Sequence, residues 1–300
     1  MPGGTLLVVG SVALDTVQTP AERREEVLGG SATYFAYAAS FFCPVRLVGV
    51  VGDDFPPACR QVLSERDIEL AGLVTRPGRT FRWTGRYAEG MNERETVAVE
   101  LNVFGEHTPE VPEAFRDSAY VFLANCRPAL QMAVLDRMTA PRLVVADTMN
   151  LWIDTRRSEL LDLIGRVGGL VLNDEEARLL TGRRSLVGAA REIGRMGPGF
   201  VVIKKGEHGV LVADEAGVAA LPACPVEDVR DPTGAGDSFA GGMMGYLART
   251  GETREVRKAV AHGTVLASYC VEDFSLDRLR RLTLKEIERR LSDYRAMLAV

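Results

Sequence analysis

Short apolar runs separated by stretches with helical spacing dominate the pattern of this chain. Runs rich in Val, Leu and Ile at 6–9, 46–51, 120–124, 143–146, 170–172 and 200–203 predict strands. Between them, apolar positions recur with helical period at 31–42, 57–66, 129–138, 159–167, 175–180 and 186–196. Three further helices are predicted at 237–249, 253–271 and 284–298. Strands alternating with helices imply a mostly parallel sheet covered on both faces, an α/β fold in three layers. Two segments break the alternation, at 17–28 and 79–104, where β-formers, turn residues and charges mix. The strict alternation at 96–101 predicts strands with one apolar face, hence a small separate β-sheet built from about 16–28 and 79–105. No internal repeat or low-complexity linker interrupts the chain, so one domain is expected over 1–300.

Composition narrows the class. With 300 residues, 46% of them apolar, the chain can bury a large core, and a net charge of −5 without any Lys/Arg block argues against a nucleic-acid surface. Cys43, Cys59, Cys126, Cys224 and Cys270 are scattered, odd in number and free of any C-x-x-C pair, as in a reducing compartment. His107, His208 and His262 are too dispersed for metal-ligand spacing. The N-terminus lacks a basic, apolar leader and no apolar run reaches about 18 residues, so a cytoplasmic protein without a membrane partner is expected.

The chemistry concentrates at 231–237, Asp-Pro-Thr-Gly-Ala-Gly-Asp. Gly234, Ala235 and Gly236 let backbone amides approach an anion, and the helix predicted to follow adds its positive end. Asp237 beside such a site repels a phosphate unless it takes a proton from an attacking hydroxyl. Taken alone, a G-x-G-D reads first as an acid capping a helix. No G-x-x-x-x-G-K-[S/T] loop or complete G-x-G-x-x-G fingerprint occurs, which weighs against a P-loop or dinucleotide fold.

The run DPTGAGDSFAGG at 231–242 resembles the C-terminal signature of the PfkB/ribokinase family of sugar and nucleoside kinases. Four further landmarks follow that family's order: LLVVGSVALD at 6–15 with GGSATYFAYAASFF at 29–42, VRLVGVVGDDF at 45–55, the N-x-x-E of Asn173 and Glu176, and VVIKKGEHGVLV at 201–212. The resemblance implies a ribokinase-like three-layer sandwich whose small β-sheet acts as a lid, and in some members as a homodimer contact. It implies ATP and Mg²⁺ as cofactors and a small sugar, polyol or nucleoside as the partner molecule. A sugar or polyol hydroxymethyl group is the leading expectation, with a nucleoside kinase or a catalytically silent binding module as alternatives.

Carried residue by residue, the resemblance makes Asp237 the base, with Gly234, Ala235 and Gly236 forming an anion hole. Asn173 and Glu176 would hold Mg²⁺ largely through water; taken alone, the pair reads as a helix cap. Lys204, Gly206, Gly209, Thr233 and His262 are expected at the nucleotide, and Asp231 at a monovalent cation such as K⁺. Asp15, projecting from the end of the first strand, suits two neighbouring hydroxyls of a polyol. Gly29, Gly30, Thr33 and Asn125 join it as acceptor-side candidates. The chain departs from ribokinases at Ala13 and Thr33, where those carry Asn, and the loop from Asp147 to Trp152 lacks the Arg of the acidic-sugar kinases. Phe81, Trp83, Tyr87 and Phe104 could stack on a nucleobase, packing within the lid being the first expectation. Arg94 and Asn102 read first as structural.

Overall fold

The computed structural model describes residues 3–299. In chain order the strands are β1 (Leu6–Val9), β2 (Ala13–Gln18), β3 (Arg23–Gly29), β4 (Val45–Gly52), β5 (Ile68–Arg76), β6 (Phe81–Tyr87), β7 (Arg94–Glu100), β8 (Tyr120–Leu123), β9 (Leu143–Asp147), β10 (Gly169–Asn173), β11 (Phe200–Lys204), β12 (Val210–Asp214) and β13 (Gly217–Leu221). The helices are α1 (Ser31–Ala39), α2 (Pro57–Ser64), α3 (Asn102–Glu106), α4 (Pro128–Leu135), α5 (Asn150–Thr155), α6 (Arg157–Ile164), α7 (Asp174–Thr181), α8 (Leu186–Arg195), α9 (Ala235–Thr250), α10 (Val256–Cys270), α11 (Asp277–Arg280) and α12 (Leu284–Leu298).

Nine strands form one sheet in the order β13-β12-β11-β10-β9-β8-β1-β4-β5. Only β12 and β13 run antiparallel to their neighbours, as a hairpin at one edge. β1 shows why helices cover both faces: all four of its residues are buried, and alternate side chains enter different cores. Leu6 and Val8 join Phe35, Met243 and Val265 from α1, α9 and α10, whereas Leu7 and Val9 join Leu160, Ile164 and Ile193 from α6 and α8. A strand apolar on both faces has no solvent side, which is the pattern of a doubly covered parallel sheet.

The remaining four strands form the expected small sheet, in the order β3-β2-β6-β7. Its root is tied to the end of β4. Asp54 accepts from the Thr80 N–H and hydroxyl, both at 2.7 Å, and pairs with Arg82 at 2.8 Å. The Gly52 N–H donates to Thr80 Oγ1 and Asn102 Nδ2 donates to the Thr80 carbonyl, so Asn102 is structural. The small sheet begins earlier than 16, because β2 starts at Ala13; Asp15 therefore projects from a strand of the small sheet and not from the end of β1. The edge strands β5 and β13 and the short helices α3, α5 and α11 are additions to the predicted elements.

Candidate active site

The carboxyl ends of three neighbouring parallel strands deliver polar side chains to one place, as parallel sheets do. β9 ends in Asp147, β10 in Asn173 and β11 in Lys204, with Asn173 and Lys204 in register. Lys204 Nζ lies 3.6 Å from Asp147 Oδ2, and both side chains are largely buried. Burial alone would lower the Lys204 pKa, but Asp147 first and Glu176 next outweigh it, so the ammonium is held charged.

α9 supplies the opposing wall. Gly234 caps it in a left-handed conformation, φ 76°, and a Cβ at 234 would fall 2.3 Å from the Tyr34 ring, so only glycine lets loop and ring close together. The Ala235 N–H donates to the Pro232 carbonyl and the Ser238 N–H to that of Gly234. Among the described residues, the Gly236 and Asp237 amides donate to nothing, and no side chain caps the helix. A 16-residue helix thus points a bare positive end into the crevice. Lys204 Nζ approaches the same loop, only 3.1 Å from where a Cβ at Gly236 would sit.

Asp237 stands in the first turn of α9, with its pKa pushed up to about 7 by burial and then by Asp147, while Lys204 and Arg94 pull the other way. Glu176 is likewise raised to about 7 by burial and by Asp147. Asn173 and Glu176 form a reciprocal cap on α7. The Glu176 N–H donates to Asn173 Oδ1 at 2.8 Å, and Glu176 Oε2 accepts from the Asn173 N–H at 2.7 Å. The helix-cap reading of this pair is thus realised, and Glu176 Oε1 is the carboxylate oxygen left over. Among the described residues no three His, Cys, Asp or Glu converge tightly enough to enclose a metal by themselves.

On the other side of the loop, Asp231 is fully buried; its Oδ1 accepts from the Thr233 N–H at 2.8 Å and its Oδ2 has no partner. Thr233 Oγ1 shares a hydrogen bond of 3.0 Å with the Tyr87 hydroxyl of β6, joining the small sheet to the loop. Asp15 is buried beneath that sheet. Its Oδ2 accepts from the Gly30 N–H at 3.3 Å, and its Oδ1 is unpartnered. A Cβ at Gly29 would land 1.9 Å from Asp15 Oδ2, so that glycine clears space for the carboxylate. Burial, against the Gly30 N–H, lifts the Asp15 pKa to about 7, with Asp231 and Asp237 adding to the rise. Thr33 is buried in α1 with its hydroxyl unpartnered.

A crevice of about 590 Å³ runs from Lys204 and Gly236 past the Gly206–His208 turn and Gly209 to Val226, Thr264 and Ser268. The β6–β7 turn reaches its rim through Met91 and Asn92, where Asn92 Nδ2 donates to Glu207 Oε1 at 2.8 Å. His262 is not part of it. Its ring stacks on Tyr246 at 4.1 Å and meets Phe42 edge-on, its Nδ1 bonds to the Lys258 carbonyl, and burial lowers its pKa to about 4. The crevice face of α10 comes instead from Thr264, Ala267, Ser268 and Val271, at helical spacing. Asn125 also departs from expectation: its amide is spent on Trp152 Nε1 and Met149 Sδ, fixing a neighbouring loop.

Asp147 and Tyr87, which the sequence presents only as the head of a loop and as a lid aromatic, are both brought to the site. A buried acid ending a parallel strand was the available signal for Asp147; nothing local announces Tyr87, whose partner is 146 positions away.

The inner face of the small sheet completes the picture. Asp15 and Trp83 are paired in register across β2 and β6, so their side chains share that face. The indole lies flat along the sheet, because Gly85 leaves it room; a Cβ there would be 1.8 Å from the ring. Trp83 Nε1 donates to Thr96 Oγ1 at 3.3 Å, which fixes the ring's orientation.

Comparison with known proteins places this arrangement. A cytidine kinase of Thermococcus kodakarensis is 32% identical over 249 residues, covering 81% of this chain and 88% of the relative. A nucleoside kinase of Burkholderia thailandensis solved in complex with inosine superposes with a TM-score of 0.81 at 20% identity, covering 96% of this chain and 98% of that one. An aminoimidazole riboside kinase of Salmonella enterica, complexed with aminoimidazole riboside and an ATP analog, superposes with a TM-score of 0.73 at 19% identity over 96% and 99% of the two chains. The family model described as pfkB family carbohydrate kinase matches residues 5–278. The chain belongs to the pfkB family of carbohydrate kinases and is a phosphotransferase.

Proposed function

We propose that this protein transfers the γ-phosphoryl group of ATP to the hydroxymethyl group of a nucleoside. The single observation that carries the choice of acceptor is the Trp83 indole, laid flat on the inner face of the small sheet in register with Asp15, whose Oδ1 is unpartnered. A ribosyl group offers Asp15 two adjacent hydroxyls and a base offers the indole a flat partner. A free sugar or polyol shares the hydroxymethyl group but sets only C–H groups against Trp83, where a base sets a flat aromatic face. The names of the cytidine kinase and of the inosine-bound structure support the same choice.

In this reading the acceptor O–H gives its proton to the Asp237 carboxylate as its oxygen forms a bond to the γ-phosphorus, and the bond from that phosphorus to the bridging oxygen breaks, releasing ADP. The amides of the Gly234–Ala235–Gly236 loop and of Asp237 face the charge that develops, at no cost in reorganisation. Lys204, held charged by Asp147, offsets the phosphates, and Gly206 and Gly209 shape the crevice that takes the nucleotide. Glu176 Oε1 and the Asp147 carboxylate fit a Mg²⁺ that keeps most of its waters, in keeping with the lack of an enclosing donor cluster. When bound, that ion supplies charge neutralisation at the phosphates. The orphaned Asp231 Oδ2 fits a monovalent cation such as K⁺.

The chain has two tryptophans, Trp83 and Trp152, so a Trp152→Phe background isolates the indole in question. Nucleosides should quench its fluorescence and ribose should not. Trp83→Ala should raise the nucleoside KM roughly 10–100-fold, the scale of one base–aromatic stack. Equal turnover of ribose and cytidine, with no effect of the substitution on either, would reject a nucleoside acceptor. His262→Ala should leave the ATP KM unchanged while lowering stability by about 1 kcal/mol or more through lost packing, measured by thermal unfolding.

A further inference from the structure

The small sheet carries four arginines on or beside the β6–β7 hairpin, and three are paired: Arg79 with Glu100, Arg82 with Asp54 and Glu26, Arg86 with Glu95. Arg94 is different. It makes no ion pair among the described residues, although acids are plentiful around it. In register with Tyr87 across β6 and β7, it shares the face from which the Tyr87 hydroxyl reaches Thr233 in the anion loop. Its guanidinium is exposed and rests 5.5 Å from the centre of the Trp83 ring, a contact that holds it on the inner face without spending its charge.

We propose that Arg94 is a catalytic residue, delivered by β7 onto the phosphoryl group in transfer, where its fork neutralises charge on the equatorial oxygens. Lys204 shares its single charge with Asp147 at 3.6 Å, so among the described side chains Arg94 is the one that brings an unpaired cation from the small sheet to that side of the site. The field of Arg94 already reaches Asp237 and Glu176, whose carboxyls it helps to hold down. A planar donor fork suits a phosphoryl group better than a point charge does. The alternative is an arginine that merely covers the indole; it predicts an effect on acceptor binding alone.

This inference rests on the phosphoryl-transfer reading but not on the nucleoside as acceptor. The experiment compares wild type, Arg94→Gln and Arg94→Lys with MgATP and whichever acceptor wild type uses. It also titrates MgADP with and without aluminium fluoride, a mimic of the group in transfer. Arg94→Gln should lower kcat by about 10²–10³-fold, with acceptor KM within about threefold of wild type, and Arg94→Lys should recover part of the loss. Aluminium fluoride should tighten MgADP binding in wild type and not in Arg94→Gln, with MgADP alone unchanged. A variant that keeps its kcat, or that loses only acceptor affinity, overturns the assignment. If wild type turns over a sugar and no nucleoside, the acceptor reading fails and Arg94 is judged on that sugar. If no acceptor is turned over, the aluminium fluoride titration decides alone.

Discussion

Asp237→Asn should cut turnover by roughly 10²–10⁴-fold, the range for a lost general base, while the protein still folds and binds nucleotide and acceptor. The substitution is nearly isosteric and removes only the capacity to take a proton. Wild type carries its own signature of the same group. Burial and Asp147 raise the Asp237 pKa to about 7, and the base works only when ionised. With acceptor and Mg²⁺ saturating, so that Asp15 and Glu176 are occupied, kcat should therefore climb with pH, by about tenfold per unit below pH 7, and level off above it. The Asn variant should lose that acid limb. Rates measured from pH 5 to 9 on both proteins check this, and a variant within about tenfold of wild type would remove Asp237 from the role of base.

Asp15→Asn should have opposite effects on function and stability. The acceptor loses a carboxylate that can take two hydroxyl hydrogen bonds, so kcat/KM for the acceptor should fall by about 100-fold or more, the scale of charge-assisted bonds left unmade. The folded protein should nevertheless become harder to melt at alkaline pH. The Asp15 pKa is raised from 3.8 to about 7 on folding. A carboxyl that holds its proton more tightly when folded favours folding at low pH. That advantage drains away as pH rises from about 4 to about 7, and above it the folded state bears the cost of a buried charge, on the order of a few kcal/mol. Asparagine carries no such cost. The gain in melting temperature over wild type should thus be larger at pH 8 than at pH 5, and an equal gain at both would show that Asp15 is already ionised within the fold at pH 5, with no raised pKa. Conflict between a site's chemistry and the stability of its scaffold is the expected condition of buried catalytic acids.

The chain announces its main sheet more clearly than its site. β1 is legible at 6–9 because every residue there is apolar and both faces are covered. β5 is hidden because it sits at the sheet's edge, where Glu69, Thr75 and Arg76 face water and break the apolar run. The turn at Gly10 and Ser11 leaves no mark in an apolar stretch that resumes at Val12, so Asp15 reads as the tail of β1 when it belongs to β2. The anion loop is readable because the geometry needs residues without bulk in consecutive positions. Asp147 is not, since its meaning comes from Lys204, brought alongside by strand pairing across 57 positions of sequence. His262 illustrates a phase error: it lies two residues from Thr264, about 200° around the helix, and so faces the core while Thr264 faces the crevice. Asn173 and Glu176 satisfy a cap through Oδ1 and Oε2, which leaves Glu176 Oε1 for a candidate metal position, and spacing alone does not separate the two roles.

Gly85 gives the small sheet an unusual point of leverage. It offers a would-be ligand no side chain, yet any side chain there would strike the Trp83 ring at 1.8 Å and lift it from the sheet. A change of acceptor in a descendant of this protein therefore need not begin with a residue that touches the acceptor. One methyl group at position 85 would erase the platform, and reversion would restore it. The preference for a flat ligand is thus kept by the vacancy beneath the indole, and drift among related chains should leave its trace at this silent position before it appears in the pocket wall.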